Sequence, residues 1–151
     1  CAEFAAPLAG EPAEYDLFTP PGLEAAVPSF FLNFDTRLVE GQRPVSGADE
    51  GYIRVWSRHK DSASRTGAAA FLTLGDVLPP AAMPTFSKFG PVSSVNWQMN
   101  ILQDAVTEDG WWHVETRQTA ARGGYSSQIM RFWNTSGDLV AEGIQNVAIF
   151  V

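Results

Sequence analysis

Apolar and polar positions alternate along most of this chain, and the pattern is strongest in its last third. Between Asp109 and Phe150 three long apolar stretches, at about 110–119, 124–134 and 138–150, are separated by turn residues. Strands this long and this close in sequence predict an antiparallel meander. Asp109-Gly110 and Ser136-Gly137 fit tight turns, and Gly123-Gly124 stands where the middle link must bend. Val92–Leu102 has the cleanest period of two. Its apolar face carries Val95, Trp97, Met99 and Ile101; its polar face carries Ser94, Asn96, Gln98 and Asn100. Ser29–Val39 predicts a further strand with Phe30, Leu32, Phe34, Thr36 and Leu38 on one side. Gly51–Arg58 predicts another, with Tyr52, Arg54 and Trp56 opposite Ile53 and Val55, and Gly41–Glu50 is the loop between them.

One segment breaks the alternation. Gly67–Leu78 is apolar almost all round, with only Thr73 and Asp76 polar, and Pro79-Pro80 stops it. A helix apolar on every side is a buried helix. The order is therefore two strands, a central helix and four strands. A curved antiparallel sheet wrapped around one helix satisfies that order, the α+β hotdog architecture. Residues 1–28 contain Pro7, Pro12, Pro20, Pro21 and Pro28, which read as a linker or surface-hugging arm ahead of a domain at 29–151.

Composition narrows the function. The 151 residues make one domain, and an apolar share of 45% is ordinary for a packed protein. The formal charge is -7 and the basic residues are scattered, so nucleic acid is not an expected partner. The same charge argues mildly against a highly anionic ligand. No apolar run approaches the ~18 residues of a membrane span. No basic region and apolar core of a signal peptide is visible, so a cytoplasmic location is expected. The single cysteine, Cys1, leaves no internal disulfide and no cysteine metal cluster.

Three polar residues stand out. Asp76 is a carboxylate in an apolar helix, so it is paired, at a cleft edge, or turned to solvent at the helix end. Gln145 shares a strand face with Leu139, Ala141, Val147 and Ile149. There it satisfies buried backbone or holds a ligand or water. Ser94, on a polar strand face, reads by itself as solvated. No nucleophile-elbow motif occurs. His59 and His113 lack metal-ligand spacing and read as surface residues. The five tryptophans read as core and interface.

Five pieces in order carry a resemblance: Asp76 within FLTLGDVLPP, the strand with Ser94, Asp109-Gly110-Trp111-Trp112, the Gly-Gly-Tyr-Ser at 123–126, and Gly137-Asp138-Leu139-Val140-Ala141 leading to Gln145. Together, over about residues 29–151, they resemble the second half of the acyl-CoA thioesterase II family, in which two hotdog units are fused. The resemblance implies thioester hydrolysis of acyl-CoA or acyl-carrier substrates, with no cofactor. It assigns an acid–hydroxyl–amide trio to Asp76, Ser94 and Gln145. Asp76 would be the general base on a water that Ser94 and Gln145 orient. The helix N-terminus near Gly67–Ala69 would polarise a carbonyl only if that end faces the site. The chain departs from the family at Ser94, usually threonine, at Asn96-Trp97, often Asp-His, and at Gln145-Asn146-Val147, commonly Gln-Glu-Gly.

The resemblance also implies a second hotdog unit as partner. It would be an N-terminal half cleaved just before Cys1, a half lying outside a fragment, or a homodimer mate. If cleavage exposes Cys1, its thiol and α-amino group make a second enzyme reading, an N-terminal-nucleophile hydrolase or acyltransferase. A non-catalytic acyl-binding or structural hotdog is the third.

Overall fold

The turn chemistry and strand pattern are realised in one six-stranded antiparallel sheet. The computed structural model describes residues 5–150. The strands are β1 (Phe34–Gly41), β2 (Tyr52–His59), β3 (Val92–Ile101), β4 (Trp112–Arg122), β5 (Tyr125–Trp133) and β6 (Leu139–Ile149), in the spatial order β1-β2-β4-β5-β6-β3. β4, β5 and β6 form the expected meander. Arg122 pairs with Tyr125 across Gly123 and Gly124, whose φ values are 59° and 80°. Two consecutive positive φ angles are what a two-residue type I′ hairpin demands, and glycine meets the demand without steric cost.

The one α-helix among the described residues, α1 (Ala68–Gly75), lies against the inner face of this sheet. Phe71 and Leu74 enter a core built from Ile53, Val55, Val114 and Phe132. The Phe71 ring sits 4.6 Å from Trp112 and 5.6 Å from Phe132. Each such side chain taken wholly from water contributes about 1.5–3 kcal/mol. The helix is shorter than expected and not buried all round. Ala68, Ala69, Leu72 and Thr73 face outward. The outward alanines made the segment look uniformly apolar, but alanine is a strong helix former that tolerates solvent.

Residues 29–33 also depart from expectation. They form a 3₁₀ turn rather than the start of a strand. That turn changes the period from two to about three. Phe31 is therefore buried, packing 5.6 Å from Phe18, while Phe30 is exposed. From Phe34 onward the expected alternation holds, with Phe34 and Thr36 buried.

The proline-rich segment binds at both faces of the sheet. On the outer face, the Trp56 indole N–H donates to Gly10 O at 3.1 Å, and Ala6 N–H donates to Gly137 O. Residues 16–18 then run along the β1 edge: Phe18 N–H donates to Thr36 O, and Leu38 N–H to Asp16 O. Arg43 holds this crossing through the carbonyls of Leu17 and Phe18. On the inner face Phe18 joins the core. Covering an edge in this way removes a template for unwanted pairing.

His113, expected at the surface, is buried. Its ring stacks on Trp56 at 4.8 Å and lies 5.7 Å from Trp133. Burial, with a smaller contribution from the Arg54 charge, pushes its pKa down to about 4. Its neighbour Trp56 is in turn bonded to Gly10 of the proline-rich segment, a contact from far along the chain that no local pattern announces. Of the basic residues between positions 54 and 65, Arg54 pairs with Glu40, while Arg58 and Arg65 both pair with Asp109.

Candidate active site

Asp76 is the C-cap residue of α1. The helix reaches that point because Gly75 has no side chain. A Cβ there would lie 2.7 Å from Met99 Cε and 3.2 Å from Trp97 Cζ2, so the helix end can rest directly on β3. Gln145 points inward from β6 and is only 4% exposed. Its Nε2 donates to Asp76 Oδ1 at 3.3 Å and to Ser94 Oγ at 2.9 Å. The fold thus brings together a carboxylate, a hydroxyl and an amide from positions 76, 94 and 145.

Ser94 arrives by a route that alternation did not foresee. Strict period two puts it on the face opposite Trp97. In the structure the β3–β6 register shifts between Ser94 and Asn96, leaving Val95 as the extra residue of a β-bulge. The bulge returns Ser94 to the side of Trp97, and Val95 is 58% exposed. A one-residue insertion in the ladder exchanges the two faces, and so Ser94, still exposed to solvent, comes within hydrogen-bond reach of the buried Gln145.

Sequence reasoning missed Gln128. It stands opposite Gln145 in the β5–β6 ladder and is 1% exposed. Its Nε2 donates to Gln145 Oε1 at 2.8 Å, and its Oε1 accepts from Ala81 N–H at 2.6 Å. The signal was present. Gln128 lies in period two with Ser126, Met130 and Phe132, an amide on an inward face as conspicuous as Gln145.

The three converging groups help to wall an apolar cavity of about 670 Å³. Phe18, Leu23, Val27, Phe31, Val77 and Leu78 supply much of the rest. Asp76 also borders a second cleft, of about 1240 Å³, that includes His59, Lys60, Thr73 and Trp97. Although the Asp76 side chain reaches solvent, desolvation by the surrounding protein raises its pKa above the ordinary carboxylate value. The bond from Gln145 opposes that rise. A carboxylate adjusted in this direction is a better proton acceptor near neutral pH.

The helix N-terminus does not serve this site. Asp76 caps the other end of α1, roughly 12 Å away along eight residues. Among the described residues no three His, Asp or Glu side chains come together as metal ligands. No helix among them is long and apolar enough to cross a membrane. Cys1 lies outside the described residues.

A curved antiparallel sheet packed on one helix, with an acid, a hydroxyl and an amide meeting beside an apolar cavity, defines a hotdog domain of the thioesterase kind. The acyl-CoA thioesterase C-terminal domain family model matches residues 6–149, and the chain belongs to that family. Solved hotdog structures agree in fold. A protein of unknown function from Alicyclobacillus acidocaldarius is 22% identical, with a TM-score of 0.80, covering 96% of this chain and 54% of that one. The acyl-CoA thioesterase II TesB2 of Mycobacterium marinum is 19% identical, with a TM-score of 0.66 and coverages of 95% and 55%. The shorter PaaI protein of E. coli is 10% identical, with a TM-score of 0.59 and coverages of 84% and 88%. The chain therefore spans about half the length of the first two. No curated protein matches it in sequence.

Proposed function

We propose that this chain carries the water-activating site of an acyl-thioester hydrolase, with Asp76 as general base and Ser94 and Gln145 as the groups that orient the reaction. The observation that carries this reading is the convergence of the three side chains on the wall of an apolar cavity. The acyl group occupies the 670 Å³ cavity, whose size and apolar lining suit a chain of methylenes. The thiol portion leaves through the second cleft bordered by Asp76, where Lys60 supplies a positive charge. Family membership supports the reaction class.

In the reaction, a water between Asp76 and the carbonyl carbon gives its proton to the carboxylate as its oxygen forms the new C–O bond. The carbonyl electrons move to oxygen. When they return, the C–S bond breaks and the thiolate departs with its electron pair. The proton held by Asp76 then passes to the released thiolate. Positioning the water removes much of the entropic barrier to a bimolecular attack. A second hotdog unit is part of this proposal: β3 is an edge strand largely open to solvent, and the longer matched structures leave room for one.

A panel of acyl-CoAs of increasing chain length, hydrolysed by wild type and by Asp76→Asn, tests the reading. General base catalysis contributes about 10²- to 10⁴-fold, so the asparagine variant should lose that much in kcat. Equal rates in the two proteins would reject Asp76 as the base.

A further inference from the structure

The direction of hydrogen bonds in an amide network is ordinarily ambiguous, because an amide can be turned over with little change in shape. Here one member removes the ambiguity. Ala81 N–H is a backbone donor and cannot accept, so the Gln128 atom 2.6 Å from it must be oxygen. The Gln128 nitrogen then faces Gln145 at 2.8 Å, and the Gln145 atom that receives it must be oxygen. Gln145 is left with its NH₂ group toward the site. Its two hydrogens go to Ser94 Oγ and Asp76 Oδ1.

The consequence falls on Ser94. Its oxygen already accepts from Gln145, and its own proton goes to no other described protein group. Turned the other way, the Gln145 oxygen would face the Asp76 carboxylate, and Ser94 would spend its proton on Gln145. We propose that Gln128 is a positioning residue: anchored by Ala81 N–H, it sets the polarity of the whole network, so that the site offers the reacting group one carboxylate acceptor, Asp76, and one free hydroxyl donor, Ser94. Burial strengthens this control, since both glutamines are nearly sealed from the water that could otherwise replace a missing bond. The functional part of the inference rests on the thioesterase reading above.

The test combines kinetics with a direct view of the protons. Gln128→Met keeps length and bulk but ends the chain of donors. With decanoyl-CoA as probe, kcat should fall on the order of 10²-fold, as for other small misplacements of catalytic groups, with KM nearly unchanged. In a Gln145→Ala background the same change should cost almost nothing further, because Gln128 acts only through Gln145. A folded Gln128→Met with wild-type kcat, or an equal loss in both backgrounds, overturns the inference. Neutron diffraction on the wild type decides it if the variant does not fold: deuterium on the Gln145 atom facing Ser94 supports the assigned polarity, and its absence overturns it. The same measurement separates the two readings. A wild type inert toward every acyl-CoA sinks the thioesterase function, whereas the neutron map alone judges the polarity.

Discussion

Gly75 is where fold and chemistry meet most tightly, and Gly75→Val measures the connection. Two effects oppose each other. Replacing glycine inside a helix by a residue with a side chain recovers up to about 1 kcal/mol of helix propensity, less for β-branched valine. Against this, the first added carbon would stand 2.7 Å from Met99 Cε and 3.2 Å from Trp97 Cζ2. The methionine methyl is the far end of a flexible chain and yields cheaply, but the indole is held between the helix and β6. Valine adds two more carbons to the same gap, and overpacking of this kind costs typically ~1–3 kcal/mol. Overpacking wins, and the expected fall in melting temperature is roughly 3–10 °C for a domain of this size. The helix end must also lift from β3. Asp76 sits 3.3 Å from Gln145 Nε2, near the limit of a hydrogen bond, so a small displacement breaks the contact. Turnover should then fall on the order of 10²-fold, more than the lost stability explains. Thermal melts followed by circular dichroism, with kcat measured well below the transition, give both numbers. Met99→Ala in the same chain should return part of each, since it empties the nearer obstacle. A Gly75→Val protein that melts and turns over like wild type would refute the idea that this approach controls the site.

Other expectations follow from the same geometry. If Asp76 is the base proposed above, the acid limb of kcat/KM should have its midpoint above the ordinary aspartate value of ~3.9, because burial raises the Asp76 pKa and a base works only when ionised; the pH profile of Asp76→Asn should lack that limb. His113 is neutral when folded, with a pKa near 4, but takes up a proton near pH 6.5 when unfolded. Its contribution is therefore intact above about pH 6.5 and is lost as pH falls toward 4, by up to roughly 3 kcal/mol. Urea denaturation at several pH values should show that slope, and His113→Phe should flatten it. Gly124→Val should destabilise the β4–β5 hairpin by about 1 kcal/mol or more, since φ there is 80°, while Gly124→Asn should cost less; chemical denaturation compares the two.

Much of this molecule was written locally. Six strands, their turns and one helix follow from periods of two and from glycines placed where φ must be positive. Asp76 and Gln145 were visible because each is a polar group on an apolar surface, an exception that local pattern exposes. The errors were also physical. Residues 29–33 keep the composition of a strand but coil, and α1 looked buried because alanine is apolar without needing burial. Tertiary structure alone decided the rest. The bulge at Val95 moves Ser94 into the site, and it exists only through pairing with β6. Gln128 acquires its role from the register that sets it across from Gln145 and from a backbone N–H 47 residues away. His113 is sealed between Trp56 and Trp133, and Trp56 is itself bonded to a segment from near the start of the chain. A period reports which face a residue occupies relative to its neighbours along one strand. What lies opposite that face is set by long-range pairing, and that is where an acid, a hydroxyl and two amides became one network.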